Sequence, residues 1–483
     1  MGNTKYHDFI KSHSWQSQPL METKVKKKPN NPMGRLTLLG LTMLGLGGAI
    51  GSGIFVASGL AINQAGPAII LTFIIGGIIS TLVMTMLGEM CANEPTSGSF
   101  SVYAGEYLGP ALGFISGWIY WLAGILTLST EMVAAALITR FWLPTWPIWL
   151  ISLIIVGVIV GISFLNVRAF ARVEEILSFI KVGILLVIIA SGVAVFSRIW
   201  PGIKSPGVSN YVIHGGFFPH GLKGAFSSLL LVLYAYAGEQ VIGPAAGDTR
   251  NPQKTIPQAV RLINFILIIL YIGAITTLVG LVHWYQVPLN GSGFIFLFDN
   301  LGVPAMTHIM SAVILSAILS AMNSNMYGVP RMLKSLAERH DAPAFMAKIK
   351  QGGMPITAVF ISSTFLLIVV GISYLLPQNI FVYIASASGV TILLNWLVIA
   401  LTYVRFRRYS KTKQGNQSEQ SFGFPYAAAT AIVLLLMALA TSAMSSNQLV
   451  GLVVGISLVL LLTLFHFFLA RRSRLRGSKN SHK

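Results

Sequence analysis

At 483 residues, with 54% hydrophobic and 10% charged residues and a mean hydropathy of +0.73, the chain is too apolar to clothe a soluble surface and reads as an integral membrane protein. Its net charge of +19 does not point to nucleic acid, because the basic residues are distributed by loop and not gathered on one folded face. The single cysteine, Cys91, excludes an internal disulfide and a thiolate metal cage.

A polar, basic tail, residues 1–35, precedes a first apolar run long enough to span, so no cleaved signal peptide is expected. Twelve apolar stretches of about 20 residues follow, the length that crosses roughly 30 Å of hydrocarbon. They are predicted over 36–62, 68–91, 111–138, 148–165, 173–196, 225–247, 262–283, 303–327, 356–376, 380–404, 424–443 and 449–470. Between the second and third, a weakly amphipathic stretch over 95–108 is predicted to lie along the inner membrane surface. The polar stretch 410–421 reads as a flexible loop.

Arg140, Arg198, Lys204 and Lys223 fall on one side and Lys181 within a helix, while the rest of the 33 Lys and Arg lie on the side of both termini. The excess of positive charge on that side, with an even number of spans, predicts cytoplasmic termini in a plasma membrane protein. The basic clusters at 24–28, 405–413 and 471–476 are topology signals first and contacts for anionic membrane lipids second.

Two glycine-rich interruptions stand out: GLGGAIGSGIF at 45–55 in the first segment and YAYAGEQVIGP at 234–244 in the sixth. Backbone leaves the helical ladder at membrane depth only where it lines a cavity or is covered by protein, so paired breaks point to a midplane binding site. Their spacing, five segments apart, is that of a five-plus-five inverted repeat (36–196 and 225–404) forming a core at 36–404. A cytoplasmic loop at 405–422, two appended helices at 423–470 and a basic tail at 471–483 complete the organisation.

Unwinding at Gly47, Gly48, Gly51, Ser52 and Gly53 frees amides at the start of the next half-helix, where a carboxylate is favoured. The carbonyls of the preceding half suit an ammonium, so one opened helix offers both poles for a zwitterion. In the second break, Ala237, Gly238, Gly243 and Pro244 weaken the helix. Tyr234 and Tyr236 either close over a ligand or pack against neighbouring helices. Glu131, Lys181 and Glu239 are the ionisable residues predicted within the membrane, with Glu89 near an inner end. Each costs roughly 2.5–3.5 kcal/mol at a helix centre and should face a cavity or a partner. Lys181 either alternates between charged and neutral forms as the cavity opens to each side or serves as a fixed tether.

Five stretches carry a resemblance in order and spacing: GAIGSGIFVASG (48–59), SGWIYWLAGILTLSTEMVAAALITRFW (116–142), FIKVGILL (179–186), AAGDTRNPQKTIPQAV (245–260) and ILSAMNSNMYGVPRML (318–333). Over residues 35–408 the chain resembles the amino acid transporter family of the amino acid–polyamine–organocation superfamily. The resemblance implies an all-α fold like that of the leucine transporter: twelve transmembrane helices, a 5+5 inverted repeat plus two, helices 1 and 6 broken. It implies amino acid transport by alternating access, usually driven by protons, with no cofactor and no metal.

By the same resemblance, the amides of Gly51, Ser52 and Gly53 bind the substrate carboxylate. Carbonyls of Ala49, Ile50, Tyr234, Ala235 and Ala237 bind its amino group. Lys181 is similar to a lysine that replaces a sodium ion and couples transport to protons, and Glu131 matches the family glutamate of the third segment. The chain departs from the family at Gly238-Glu239-Gln240, where the acid is displaced by one residue, about 100° around a helix.

The Ala, Ile and Gly around both breaks suit a neutral, hydrophobic and branched side chain, with gamma-aminobutyrate, basic amino acids and exchange as alternatives. A channel would need a continuous polar pore or filter, and an enzyme a convergent catalytic set. His283 and His308 sit near outer ends without metal-ligand spacing. An amino acid sensor that keeps the pocket without transport is the remaining rival.

Overall fold

Apolar sequences of this kind satisfy their backbone groups in hydrocarbon only as helices, and helices account for every regular element longer than a single bridge among the described residues. The computed structural model describes residues 36–163, 167–200, 205–289, 291–302, 304–348, 355–375, 380–414, 423 and 425–480. The basic tail with its cluster at 24–28, Lys204 and the loop residues 415–421 therefore lie outside the described residues. Leu36–Lys483 constitutes one unit.

The principal helices are α1 (Leu38–Ala49), α2 (Ser58–Ala65), α3 (Ile69–Asn93), α4 (Ser99–Tyr107), α5 (Pro110–Thr139), α6 (Ile148–Ser163), α7 (Val167–Phe196) and α8 (Leu229–Tyr236). They continue as α9 (Pro252–Leu281), α10 (Gly293–Asn300), α11 (Pro304–Glu338), α12 (Ile356–Leu375), α13 (Ile380–Gln414), α14 (Tyr426–Ser442) and α15 (Ser446–Asn480). Among the described residues nine stretches are long and apolar enough to cross a membrane, and Ile148–Ser163 and Tyr426–Ser442 are shorter apolar helices. The first of the nine, Leu38–Asn93, is 56 residues long, enough for two crossings.

Local chemistry explains the boundaries. Thr37 caps α1 by accepting the Gly40 amide at 3.2 Å. Gly66 adopts φ +62° between α2 and α3, a backbone state that a side chain resists. Pro110 and Pro252 begin α5 and α9, where a missing N–H costs nothing. Several helices outrun their predicted apolar runs: α11 continues to Glu338, α13 to Gln414 and α15 to Asn480. Hydropathy marks where lipid contact ends, not where the backbone ladder ends.

Large apolar side chains are exposed along the outside, among them Phe179, Leu186, Phe265, Leu460 and Phe467. Water would penalise such a surface and lipid does not, so the exterior itself identifies a multi-pass membrane protein. Inside, α5 lies against α11 and α13, and α1 packs on α7, α9 and α11. The stretch predicted to lie on the inner surface contains α4, whose Phe100, Tyr103 and Ala104 are buried, and α4 packs on α5.

Candidate functional site

Both predicted interruptions exist. The α1 ladder stops at Ala49; Ile50 is extended (φ −80°, ψ 90°), and a π-helical turn over Gly53–Ala57 restarts the segment before α2. The sixth segment leaves α8 at Tyr236 and runs through a 3-10 turn, Ala237–Val241, a short α-helix, Ile242–Ala245, and a further 3-10 turn, Ala246–Asp248.

The breaks touch because glycine removes the obstacle on both sides. A Cβ at Gly48 would stand 2.5 Å from the Gly238 carbonyl oxygen, and one at Gly238 would collide with the Gly48 carbonyl. Gly53 likewise lies on the Ala235 backbone, where an added Cβ would be 2.5 Å from Cα.

Side chains from other helices meet the freed backbone of the first break. Glu131, on α5 and 3% exposed, accepts the Ser52 amide at Oε2 over 2.8 Å. The Ser52 hydroxyl pairs with the Tyr234 hydroxyl at 2.9 Å, joining the two breaks. Lys181, fully buried on α7, donates from Nζ to the Gly47 carbonyl.

Two participants escaped the sequence reading. Glu174, 2% exposed, lies 3.9 Å from Lys181 Nζ and accepts Ser320 Oγ at 2.6 Å and Asn323 Nδ2 at 2.9 Å. Its signal was available: it precedes Lys181 by seven residues, two turns on one helical face, and Ser320 and Asn323 are three apart on α11. The predicted span begins at 173, which sets Glu174 at a membrane edge.

The second missed participant is Tyr271 on α9. Its hydroxyl reaches the carbonyls of Ala49 at 2.8 Å and Ala235 at 3.1 Å, one from each break. Nothing distinguishes it in sequence from other tyrosines in apolar helices. Its importance arises entirely from where α9 packs.

The remaining candidates divide. Tyr234 faces the first break, whereas Tyr236 donates to the Phe73 carbonyl at 3.1 Å and packs on Phe73 and Tyr271. Glu239 is fully buried and bonded to Ser80 of α3, with its second carboxylate oxygen unpartnered among the described residues. The neighbouring Gln240 accepts the Trp396 indole N–H at 3.2 Å. Thus Glu131 and Lys181 converge on the first break while Glu239 turns to α3. The Tyr234 carbonyl accepts the Ala237 amide and is engaged locally, whereas at Ile50 it is the amide that is used, donating to the Leu46 carbonyl.

Beyond the second break, the Ala-Gly-Asp stretch forms a latch. Leu36 N donates to the Asp248 carbonyl at 2.8 Å, and Arg250 N to the Leu36 carbonyl at 2.9 Å. The Asp248 carboxylate accepts the Tyr327 hydroxyl at 2.8 Å and lies 3.4 Å from Arg331, whose guanidinium stacks over the Tyr327 ring. Glu89, at the end of α3, pairs with Arg407 and accepts the Tyr403 hydroxyl at 2.8 Å. Of the two histidines singled out in the sequence, His308 accepts the Trp142 indole N–H at 3.2 Å, and His283 stacks on Tyr285.

What the arrangement can do chemically follows from these contacts. It presents an amide pole and a carbonyl pole a few residues apart, each engaged by a side chain that a zwitterion's carboxylate or ammonium could replace. No group of three or more His, Cys, Asp or Glu suited to a metal ion occurs among the described residues.

A family model described as amino acid permease matches residues 40–475. A Bacillus subtilis (strain 168) protein named uncharacterized amino acid permease YtnA is 33% identical over 417 residues, covering 86% of this chain and 90% of the relative. The gamma-aminobutyric acid permease of the same organism is 34% identical over 425 residues, covering 87% and 91%. Its putative histidine permease is 34% identical over 435 residues, covering 89% and 92%.

Proposed function

The chain belongs to the amino acid permease family and is a transporter, not an enzyme, and from that premise we propose that it imports a neutral, hydrophobic amino acid together with a proton. One observation carries the reading: titratable side chains from two other helices, Glu131 and Lys181, grip the amide and carbonyl ends of the same helix break.

In this reading the chain spans the plasma membrane twelve times with cytoplasmic termini. Halves 36–196 and 225–404 rock as inverted repeats of a leucine-transporter-like core. The substrate carboxylate takes the amides of Gly51, Ser52 and Gly53 after displacing Glu131, and its ammonium takes the carbonyls of Ala49, Ile50, Ala235 and Ala237 after displacing the Tyr271 hydroxyl. Gly238 lets the two breaks approach. A protonated Glu131 is a weaker acceptor than the carboxylate, because charge-assisted bonds are roughly twice as strong, so proton uptake and release of the Ser52 amide favour each other. Lys181, set between Gly47 and Glu174, holds the broken helix when charged and lets it go when neutral. A proton accompanying a zwitterion carries one positive charge inward, worth about 2.3 kcal/mol per 100 mV of inside-negative potential. The Asp248–Arg331–Tyr327 latch closes the cytoplasmic end of the path.

Gamma-aminobutyrate is the second reading, favoured by the relative that bears that name. Uptake by purified protein in liposomes, across the twenty amino acids and gamma-aminobutyrate, with and without an inward proton gradient, tests both. Accumulation of a neutral amino acid that collapses with a protonophore is the expected result, and Glu131→Gln should retain counterflow while losing the gradient dependence. Gradient-independent counterflow in the wild type would indicate an exchanger, and binding without transport a sensor.

A further inference from the structure

A cavity of about 310 Å3 opens at the end of the bundle remote from the Asp248 latch. Its wall joins the end of α5 (Ile138, Arg140), the segment around α10 (Ser292, Asp299) and the beginning of α11 (Thr307). Thr307 and Arg331 are 24 residues apart on α11, about 36 Å along the helix, which places the cavity and the latch at opposite ends. Ile138 lies seven residues beyond Glu131 on α5, about 10 Å further along the same helix. The cavity therefore lies further along the same helix from the first break, on the side away from the latch.

Its lining carries charge of both signs. Arg140 and Asp299 are exposed; Arg140 makes one long bond, 3.3 Å, to the Pro144 carbonyl, and Asp299 forms no ion pair among the described residues. Ser292 and Thr307, 4% and 6% exposed, have hydroxyls without a hydrogen-bond partner among the described residues. Phe141 and Phe296 add apolar surface. One cation, one anion, spare hydroxyls and an aromatic side, in a volume typical of small-molecule sites, match an amino acid's head and side chain.

The cavity is also joined mechanically to the break. Phe294 of α10 meets Phe55 of the π-helical turn edge-on, with centroids 5.9 Å apart, and a Cβ on Gly59 of α2 would stand 2.6 Å from the Pro288 carbonyl.

We propose that this cavity is a second amino acid site, an outer station that captures the zwitterionic head between Arg140 and Asp299 before the substrate reaches the broken helices. The proposal rests on the amino acid permease reading for its ligand class and adds a site to it.

Equilibrium binding of labelled L-leucine, L-histidine and gamma-aminobutyrate to the purified full chain, paired with uptake in liposomes, tests it. The transported compound should bind the wild type at two equivalents per chain, and Arg140→Gln or Asp299→Asn at one. Either variant should raise the KM for uptake about tenfold with the maximal rate unchanged, and Arg140→Lys should restore most of the affinity. Should a neutralised variant fail to fold, Thr307→Val gives a smaller KM increase in the same direction. One equivalent in the wild type, or an unchanged KM in the neutralised variants, overturns the outer site while leaving transport intact. Two equivalents reduced to one by Arg140→Gln, with no uptake of any probe, would sustain the site and defeat the transport reading. No binding of any probe defeats both.

Discussion

The two helix breaks are built from similar residues and finished differently. Around the first, charged groups converge: Glu131 on the Ser52 amide, and Lys181 on the Gly47 carbonyl backed by Glu174. Around the second, the partners are neutral, namely Tyr271, Trp396 through Gln240, and the Gly48 backbone, while its own acid, Glu239, turns to Ser80. Glycine content alone marks where a helix can open; the neighbouring helices decide which charged groups meet each opening. On that basis the first break is the proposed coupling centre, and the second a wall and hinge.

The sharpest way to break this contrast is Lys181→Ala. It removes the tether on Gly47 and strands Glu174 among Ser320 and Asn323; loss of one partner of a buried pair costs about 3–5 kcal/mol. Proton-driven accumulation should disappear while some counterflow remains, as liposome uptake will measure. Undiminished accumulation would move coupling away from the first break.

Tyr271→Phe should have an intermediate effect. The hydroxyl occupies carbonyls of both breaks, and a neutral hydrogen bond is worth about 1 kcal/mol, so deleting this resident competitor should tighten substrate binding about fivefold. Equilibrium binding to purified protein checks the sign. Weaker binding would mean that Tyr271 contacts the substrate directly.

Glu239→Gln should change least. The amide can still accept the Ser80 hydroxyl, and the site faces α3, so uptake and its proton dependence should stay within about twofold of wild type, within the range of a neutral hydrogen-bond exchange. If gradient dependence vanished in this variant and survived in Glu131→Gln, the assignment of the two breaks would be reversed.

The backbone of the candidate site was legible in sequence because its cause is local. Gly47, Gly48, Gly51 and Gly53 weaken one segment, Gly238, Gly243 and Pro244 another, and a helix interrupted at membrane depth must be covered. Lys181 and Glu131 were legible for a related reason, since charge inside an apolar run has few permitted explanations. Tyr236 and Tyr234 could not be separated by type or hydropathy: two residues apart on a turn, one faces Ser52 and the other Phe73. Glu174 was hidden by a boundary drawn from hydropathy, although its two-turn spacing from Lys181 stood in the sequence.

Composition and periodicity by themselves determined that this protein is helical, lives in a bilayer and opens two of its segments, because backbone satisfaction in hydrocarbon depends only on the local run of residues. Tertiary structure alone decided that Tyr271 bridges Ala49 and Ala235, that Ser320 and Asn323 reach Glu174, and that Arg140 and Asp299 share a cavity. Those pairings join positions as far apart as 222 residues, and only the packing of whole helices brings such positions together.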